Sequence, residues 1–563
     1  MAIAPRYPTP FDDRGLVTRP DADLMGVPTI QPWLGAPALS YPTRPPTVLD
    51  VVDRAVGLWP DRRFVVEAGG DERSVTFGQY GALVEGAAGR LVALGVGAGD
   101  TVAVAARNSL DLAVAHLACA RIGAVLVGLN VRLAPEQWAY QLGHARVVLA
   151  LGAGELLDGL RTAGADAGLA DDAVRALDGV FVGDPAPWAY DPATERPDEA
   201  ATYAVVYTSG TTGRPKGSQV VHRASVHSGV SYQRALQLTG GDVHCVVFPL
   251  SYISAMHAHV LPALLEGSTV VLVAEPEPLE VADAVRRHRA TFLYAVPSLW
   301  GRLARVPGFE HPGVGHLRLG AWGGAPMPGA LLERLAERLP AMRTLEIYGL
   351  SETHSPATVL LDHEARRKPG SVGRPLPCME AKVVDDGGAE LGPGAAGELL
   401  VRGSLVTTGY LHAPEATATA IVDGWFRTGD VARRDAEGYV WILDRTKDMI
   451  NRGGHKIFSA ELERLLATHP AIREAAVLGM PDRAAGESVA VVLVAEPGAA
   501  APPTAAEVRR FVVERYADYA APRVVEVVDD LPRTTNGKVA KSVLRARLSG
   551  LAAGASPAPS APT

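Results

Sequence analysis

Residues Tyr207 to Gly217 read YTSGTTGRPKG. Within these positions fall three Gly, four Ser or Thr, one Pro, one Arg and one Lys, and no large apolar side chain follows Tyr207. A segment of this kind cannot be core. A β-rich run, TYAVVYTS, leads into it. Glycines let a backbone approach a ligand closely and turn N–H groups toward it. Hydroxyls donate to phosphate oxygens, and Lys216 adds a positive charge. The parts suit a polyphosphate. A solvated linker has the same composition, so composition alone leaves both readings open. The spacing is not the Gly-Lys-Ser/Thr of the P-loop.

Working outward, short apolar runs alternate with helical stretches from about residue 47 to 300. VTFGQYGALVEGAAGRLVALG (75–95) reads as a strand end and then a helix with a Gly stop. DTVAVAAR (100–107), AVLVGLN (124–130), VVLAL (147–151), CVVFPL (245–250), TVVLVA (269–274) and TFLYAV (291–296) read as strands, and EQWAYQLGHA (136–145) as a helix. This alternation predicts doubly wound parallel sheets. Around residues 370–442 the pattern changes to strands joined by tight turns, as in an antiparallel barrel or meander. After RTKD (445–448), helix AELERLLATHP, strands AAVLGMP and SVAVVLVAE, and helix AAEVRRFVVERYAD predict a compact α+β domain. Residues 1–46 are Pro-rich and aperiodic, which predicts an extended arm. The tail AAGASPAPSAPT is of low complexity, and 549–563 are expected to be disordered.

At 563 residues the chain exceeds one core. Its formal charge of -8 argues against a general nucleic-acid binder. Three scattered cysteines, Cys119, Cys245 and Cys378, suggest neither a disulfide framework nor a zinc motif, and a reducing cytoplasm fits. The first residues carry no apolar run of a secretory signal. The most apolar window, 113–130, is broken by His116, Arg121 and Gly123, and reads as buried helix, turn and buried strand rather than a membrane span. GVGAGD (95–100) begins like a dinucleotide fingerprint. It follows a helix and ends in Asp100, so it is read as a helix-to-strand turn.

The order of residues in TSGTTGRPKG resembles the phosphate loop of the adenylate-forming superfamily: acyl-CoA synthetases, peptide-synthetase adenylation domains and beetle luciferases. YGLSETH (348–354), GWFRTGDVARRDAEGYVWILDRTKDMI (424–450), GGHKIFSAELE (453–463) and PRTTNGKVAK (532–541) resemble further segments of it, in family order, over roughly residues 47 to 548. The resemblance implies an α/β fold. A large N-terminal domain (47–446) would hold two doubly wound αβ subdomains and a small β-barrel, and a mobile α+β domain (447–548) would follow. It implies ATP-dependent activation of a carboxylic acid to an acyl-adenylate with release of pyrophosphate. Transfer to a thiol follows, that of coenzyme A being the default.

The resemblance also implies site residues. Thr208, Ser209, Gly210, Thr211, Thr212, Gly213 and Lys216 would cradle phosphates. Glu352 would hold Mg²⁺, a hard cation suited to carboxylate and phosphate oxygens. Ser351 would reach the α-phosphate. Tyr348 and Gly349 would lie on one side of adenine, with Gly324, Ala325 and Pro326 on the other. Asp430 and Arg445 would serve the ribose. Lys538 would bridge the carboxylate and the α-phosphate, stabilising developing charge. Lys447 would sit at the hinge, and Gly453, Gly454 and Lys456 would serve the thiol half-reaction.

The chain departs from the family pattern at several places. Ser251 and Tyr252 stand where Phe-His is common, Trp322 where Ser is common, and Ser459 where Pro is usual. Tyr252, His257, Trp322, Gly323 and His354 are expected around the acid, which predicts a short, aromatic or polar acid over a long-chain fatty acid. Trp322 packing backwards as core is the alternative. A carrier-protein thiol, an amine or a small inorganic nucleophile such as nitrite is an alternative acceptor, and a non-catalytic nucleotide-binding regulator a remote one. No nucleic-acid or membrane partner is expected, and the oligomeric state is not readable.

Overall fold

The structure is a computed structural model describing residues 28–69, 72–183, 196–208, 214–482, 485–498, 501–533 and 539–554. It divides into two units. One comprises residues 1–382, 400–428 and 434–441, the other 383–399, 429–433 and 442–563.

The first unit is built on two sheets whose central strands are parallel. A six-stranded sheet runs Lys216–Val221, Thr202–Thr208, Val125–Leu129, Thr101–Ala105, Val147–Gly152 and Val174–Ala176, and only Lys216–Val221 is antiparallel to its neighbour. A nine-stranded sheet has six parallel strands at its centre: Arg343–Tyr348, Leu319–Gly323, Phe292–Ala295, Val243–Val246, Thr269–Val273 and Arg63–Ala68. Strands such as Val125–Leu129, Val147–Gly152 and Thr269–Val273 form because they are continuous apolar runs, as suits strands covered on both faces. Helices between them supply the cover. Phe77–Ala93 starts on a capping box in which Thr76 and Gln79 satisfy each other's backbone N–H groups. Leu110–Arg121 is buried on every side, and Gly123 at φ +71° turns it into strand Val125–Leu129. Residues 95–100 are the expected turn, with the Gly97 N–H donating to Asp100 Oδ2 at 2.8 Å.

Two expectations change. Within the Pro-rich arm, Thr29–Trp33 and Ala36–Ser40 pair as an antiparallel hairpin. Trp33 is buried there and donates its indole N–H to the Val406 carbonyl at 3.1 Å. Proline is compatible with extended, edge-like backbone, so its frequency did not preclude pairing. In the tail, helix Lys541–Gly554 runs through the first residues expected to be disordered, and 555–563 lie outside the described residues.

The second unit contains strands Ile472–Asp482 and Gly486–Ala495, paired antiparallel, with Val524–Val528 parallel to the latter. Helices Ser459–Leu466 and Ala505–Arg515 contribute to its apolar cluster through Leu462, Leu466, Val508 and Val512. The α+β reading of this region holds. A five-stranded sheet (Met379–Val384, Ala396–Gly403, Trp425–Arg434, Ile421–Val422 and Val440–Arg445) stands where a barrel or meander was expected.

All three cysteines are free and buried, and burial pushes each thiol up to about 12. Among the described residues no helix is long and apolar enough to cross a membrane.

Candidate active site

Thr208 ends one strand and Lys216 begins the next, and the two are opposite each other in register. The two strands are antiparallel neighbours. Ser209, Gly210, Thr211, Thr212 and Gly213 lie outside the described residues. The Lys216 strand is braced by the segment around Tyr410. The Leu411 N–H donates to the Gly217 carbonyl at 2.8 Å and the Gln219 N–H to the Gly409 carbonyl at 3.0 Å. This brings the Tyr410 ring to 5.0 Å from the Lys216 ammonium. The Tyr410 hydroxyl in turn donates to Glu352 Oε1 at 2.9 Å.

Lys216, Tyr410 and Glu352 thus form one row. Burial and the Glu352 charge raise the Tyr410 phenol, which keeps it a donor at neutral pH. Glu352 and Ser351 sit in the single 3₁₀ turn Ser351–Thr353, with Glu352 only 7% exposed. That carboxylate, partly desolvated beside a lysine, is chemically fit for a hard cation shared with phosphate oxygens, the usual manner of Mg²⁺. Tyr410 was missed by the sequence reading. The signal was the hydroxyl- and Gly-rich stretch SLVTTGY (404–410), of the same composition as the phosphate loop.

The residues expected beside adenine emerge at the carboxyl ends of neighbouring parallel strands, where open α/β sheets bind ligands. Gly323 is in register with Ile347, so exposed Gly324, Ala325 and Pro326 leave the sheet beside Tyr348 and Gly349. A Cβ on Gly349 would lie 1.3 Å from the Ser355 carbonyl oxygen, so only glycine fits. In the second unit, Asp430 is 1% exposed and accepts from Arg445 Nε at 2.7 Å. Lys447 is exposed in a turn closed by Asp448 and Met449 N–H groups on the Arg445 carbonyl. Gly453 and Gly454, at φ +60° and +88°, form the hairpin turn before exposed Lys456. Lys538 lies outside the described residues.

The side chains expected around the acid sort differently. Tyr252 is half-buried and accepts from Asn130 Nδ2 at 2.6 Å. His354 is fully buried. Its Nδ1 donates to the Leu405 carbonyl at 2.9 Å and its Nε2 accepts from the Val221 N–H at 3.1 Å. His257 engages the Ile253 carbonyl at 2.7 Å and Ser225 Oγ at 2.9 Å. Burial pushes His257 down to about 4 and His354 well below the usual imidazole range. Both rings are buried with both nitrogens engaged, and burial disfavours their protonation.

Trp322 belongs to the apolar cluster with Leu293, Ala295, Leu299 and Leu335. Side chains alternate across a strand. Trp322 is in register with Ala295, and Tyr294 with Ala321, so Trp322 and Tyr294 take opposite faces. A Cβ on Gly323 would lie 2.5 Å from the Tyr294 hydroxyl. The aromatic group beside Gly323 is Tyr294, which strand alternation could have revealed.

The chain belongs to the AMP-binding enzyme family. The family's description matches residues 52–411, and that of the AMP-binding enzyme C-terminal domain matches 461–538. It is an AMP-forming, acyl-CoA synthetase-like ligase of the adenylate-forming superfamily. It is similar to an indoleacetate–CoA ligase of Aromatoleum aromaticum (34% identity over 508 residues, 88% of this chain and 96% of that protein). It is also similar to a feruloyl-CoA synthase of Amycolatopsis (33% over 515 residues, 88% and 99%). Among solved structures, ATP-bound MatB from Rhodopseudomonas palustris superposes with a TM-score of 0.81 at 29% identity, covering 90% of this chain and 99% of that one.

Proposed function

We propose that the protein joins a carboxylic acid to coenzyme A at the expense of ATP, by way of an acyl-adenylate. The observation that carries this reading is the row Lys216–Tyr410–Glu352, with Lys216 opening the strand opposite Thr208. One ammonium and one buried carboxylate joined through Tyr410 support a site for a triphosphate with its cation. CoA-ligase relatives spanning nearly the whole chain support the same reading.

In the first half-reaction a carboxylate oxygen of the acid attacks the α-phosphorus of ATP. The bond to the bridging oxygen of the β-phosphate breaks, and pyrophosphate leaves. Two anions must approach, so the protein's work is alignment and charge neutralisation. Thr208, Ser209, Gly210, Thr211, Thr212, Gly213 and Lys216 hold the β- and γ-phosphates, and Ser351 donates to the α-phosphate. Glu352 would hold Mg²⁺, which would supply neutralisation of phosphate charge. Tyr410 orients Glu352. Tyr348, Gly349 and Gly324 to Pro326 flank adenine, while Asp430 accepts from the ribose hydroxyls and Arg445 steadies Asp430. Lys538 carries a proximal positive charge to the carboxylate and α-phosphate oxygens.

In the second half-reaction the CoA sulfur attacks the acyl carbon, its proton passes to solvent and AMP leaves. Gly453, Gly454 and Lys456 serve this step after movement about Lys447.

The test is pyrophosphate release from Mg-ATP across carboxylic acids, with and without CoA, followed by the thioester mass. Lys538→Ala is expected to abolish most acid-dependent release while ATP binding survives. Equal rates in variant and wild type would overturn the role of Lys538. Adenylate without thioester would move the acceptor to a carrier thiol or another nucleophile.

A further inference from the structure

Ser355 carries the further inference. It follows His354, and the pair stands at φ +51° and +87°, two successive non-glycine residues in the left-handed region. Such backbone costs on the order of 1 kcal/mol or more per residue and persists where the surroundings impose it. Here His354 is pinned by its two ring hydrogen bonds. The bend places Ser355 Oγ 2.7 Å from the Tyr232 hydroxyl and 3.3 Å from Ser254 Oγ. The Tyr294 hydroxyl faces both Tyr232 and Ser355 and lies against Gly323. Four hydroxyls therefore converge between Gly323 and the turn that follows Glu352. Tyr232, Tyr294 and Ser355 are buried, and Ser254 is half-buried. The ring of half-buried Phe248 meets Tyr294 edge to face at 4.8 Å and provides an apolar aromatic wall.

Resting on the ligase reading above, we propose that Ser254, Ser355, Tyr294 and Tyr232 form the distal end of the acid pocket. They select a short acid whose far end carries a neutral hydrogen-bonding group, a hydroxyl or carbonyl, on a planar or aromatic frame. Hydroxyls both donate and accept, so they match such a group. They do not match a second carboxylate. The adjacent imidazoles, His257 and His354, have both ring nitrogens committed and stay neutral. A charged terminus would be buried without a counter-ion, which is costly. A cavity of about 10 Å³ lined by Ser231, Tyr232, Ile347, Pro356 and Val359 has room for one water molecule.

The experiment compares kcat/KM for thioester formation on matched acids: 4-hydroxycinnamate against cinnamate, 4-hydroxybenzoate against benzoate, and terephthalate as the dicarboxylate. Wild-type protein is expected to prefer the hydroxylated partner of at least one pair by about 100-fold or more, since a site built around a hydroxyl rejects the analogue lacking it. Terephthalate is expected to be the poorest of the benzoates. Tyr294→Phe and Ser254→Ala are each expected to cut the preference about tenfold. Because the readout is a ratio on one enzyme, partial misfolding cancels. Ser355→Gly, which relieves the backbone bend, should cut it too. A ratio near one in the wild type, or one unchanged in all three variants, overturns the proposal. Absence of acid-dependent pyrophosphate release with any carboxylic acid overturns the ligase reading itself, and this proposal with it.

Discussion

Glu352 and Tyr410 show how much one hydrogen bond can decide. A buried carboxylate left without a donor is expensive, and the Tyr410 hydroxyl at 2.9 Å supplies one. Tyr410→Phe keeps the ring beneath the Lys216 ammonium and removes only the donor. The expected result is about a tenfold fall in kcat/KM for ATP, measured as acid-dependent pyrophosphate release. Glu352→Gln should cost more, on the order of 100-fold or greater, because it removes the charge proposed to hold the cation. The double variant should fall short of the product of the two, since the residues touch. A Tyr410→Phe rate equal to wild type would show that the bond contributes nothing to the site. His354 belongs to the other category. His354→Ala orphans the Val221 N–H and the Leu405 carbonyl. A stability loss of about 2–4 kcal/mol should follow, read in a denaturant melt. The choice among acids should move less than in Tyr294→Phe.

At the scale of elements, strands such as Val125–Leu129 and Thr269–Val273 were legible because each is a continuous apolar run ended by polar or Gly residues. Motif order singled out Lys216, Glu352, Asp430 and Arg445, and the structure joins the first two through Tyr410 and pairs the last two. What stayed hidden depends on contacts between distant segments. Examples are the pairing of Thr29–Trp33 with Ala36–Ser40, Tyr410 beside Lys216, and the face taken by Trp322. Ser459 is another case, legible as a departure and explained only by its partners. Its backbone N–H and hydroxyl both donate to Asp444, the latter at 2.9 Å, and Lys541 reaches Ser459 Oγ at 2.7 Å and Glu463 Oε1 at 2.8 Å. One ammonium thereby serves two carboxylates whose burial raises them. The network ties the end of strand Val440–Arg445, the first turns of helix Ser459–Leu466, and the start of helix Lys541–Gly554. Lys541→Met should destabilise the second unit by about 2 kcal/mol at pH 7, below a fully buried pair because the lysine is partly exposed. Without the lysine both carboxyls rise further above their unfolded values. The penalty must therefore shrink as pH falls toward 4 and grow as it rises to 7, a dependence that thermal melts of variant and wild type across that range would reveal. Ser459→Pro, which lacks the N–H, should be destabilising in the same assay.

The first unit as a whole is loaded with imidazoles that burial keeps neutral. His116, His222, His244 and His257 are pushed down to about 4, and His227, His259 and His354 well below the usual range. An unfolded chain protonates each near pH 6.5. Between pH 6.5 and 4 the unfolded state therefore binds more protons than the folded one, and stability falls as pH falls. A group depressed to about 4 contributes about 2 kcal/mol of loss by pH 5, so a few of them together rival the 5–15 kcal/mol that holds a typical domain. The first unit should show a steep drop in Tm from pH 7 to 5, whereas a flat Tm would overturn the argument. His259 isolates the cause. Among the described residues neither of its ring nitrogens has a hydrogen-bond partner, and it sits 0% exposed against Phe292 and His244. His259→Leu removes a proton acceptor from the unfolded state and no bond from the folded one. It should raise Tm more at pH 5 than at pH 7. An equal shift at both pH values would mean that packing, not protonation, sets the acid sensitivity of this core.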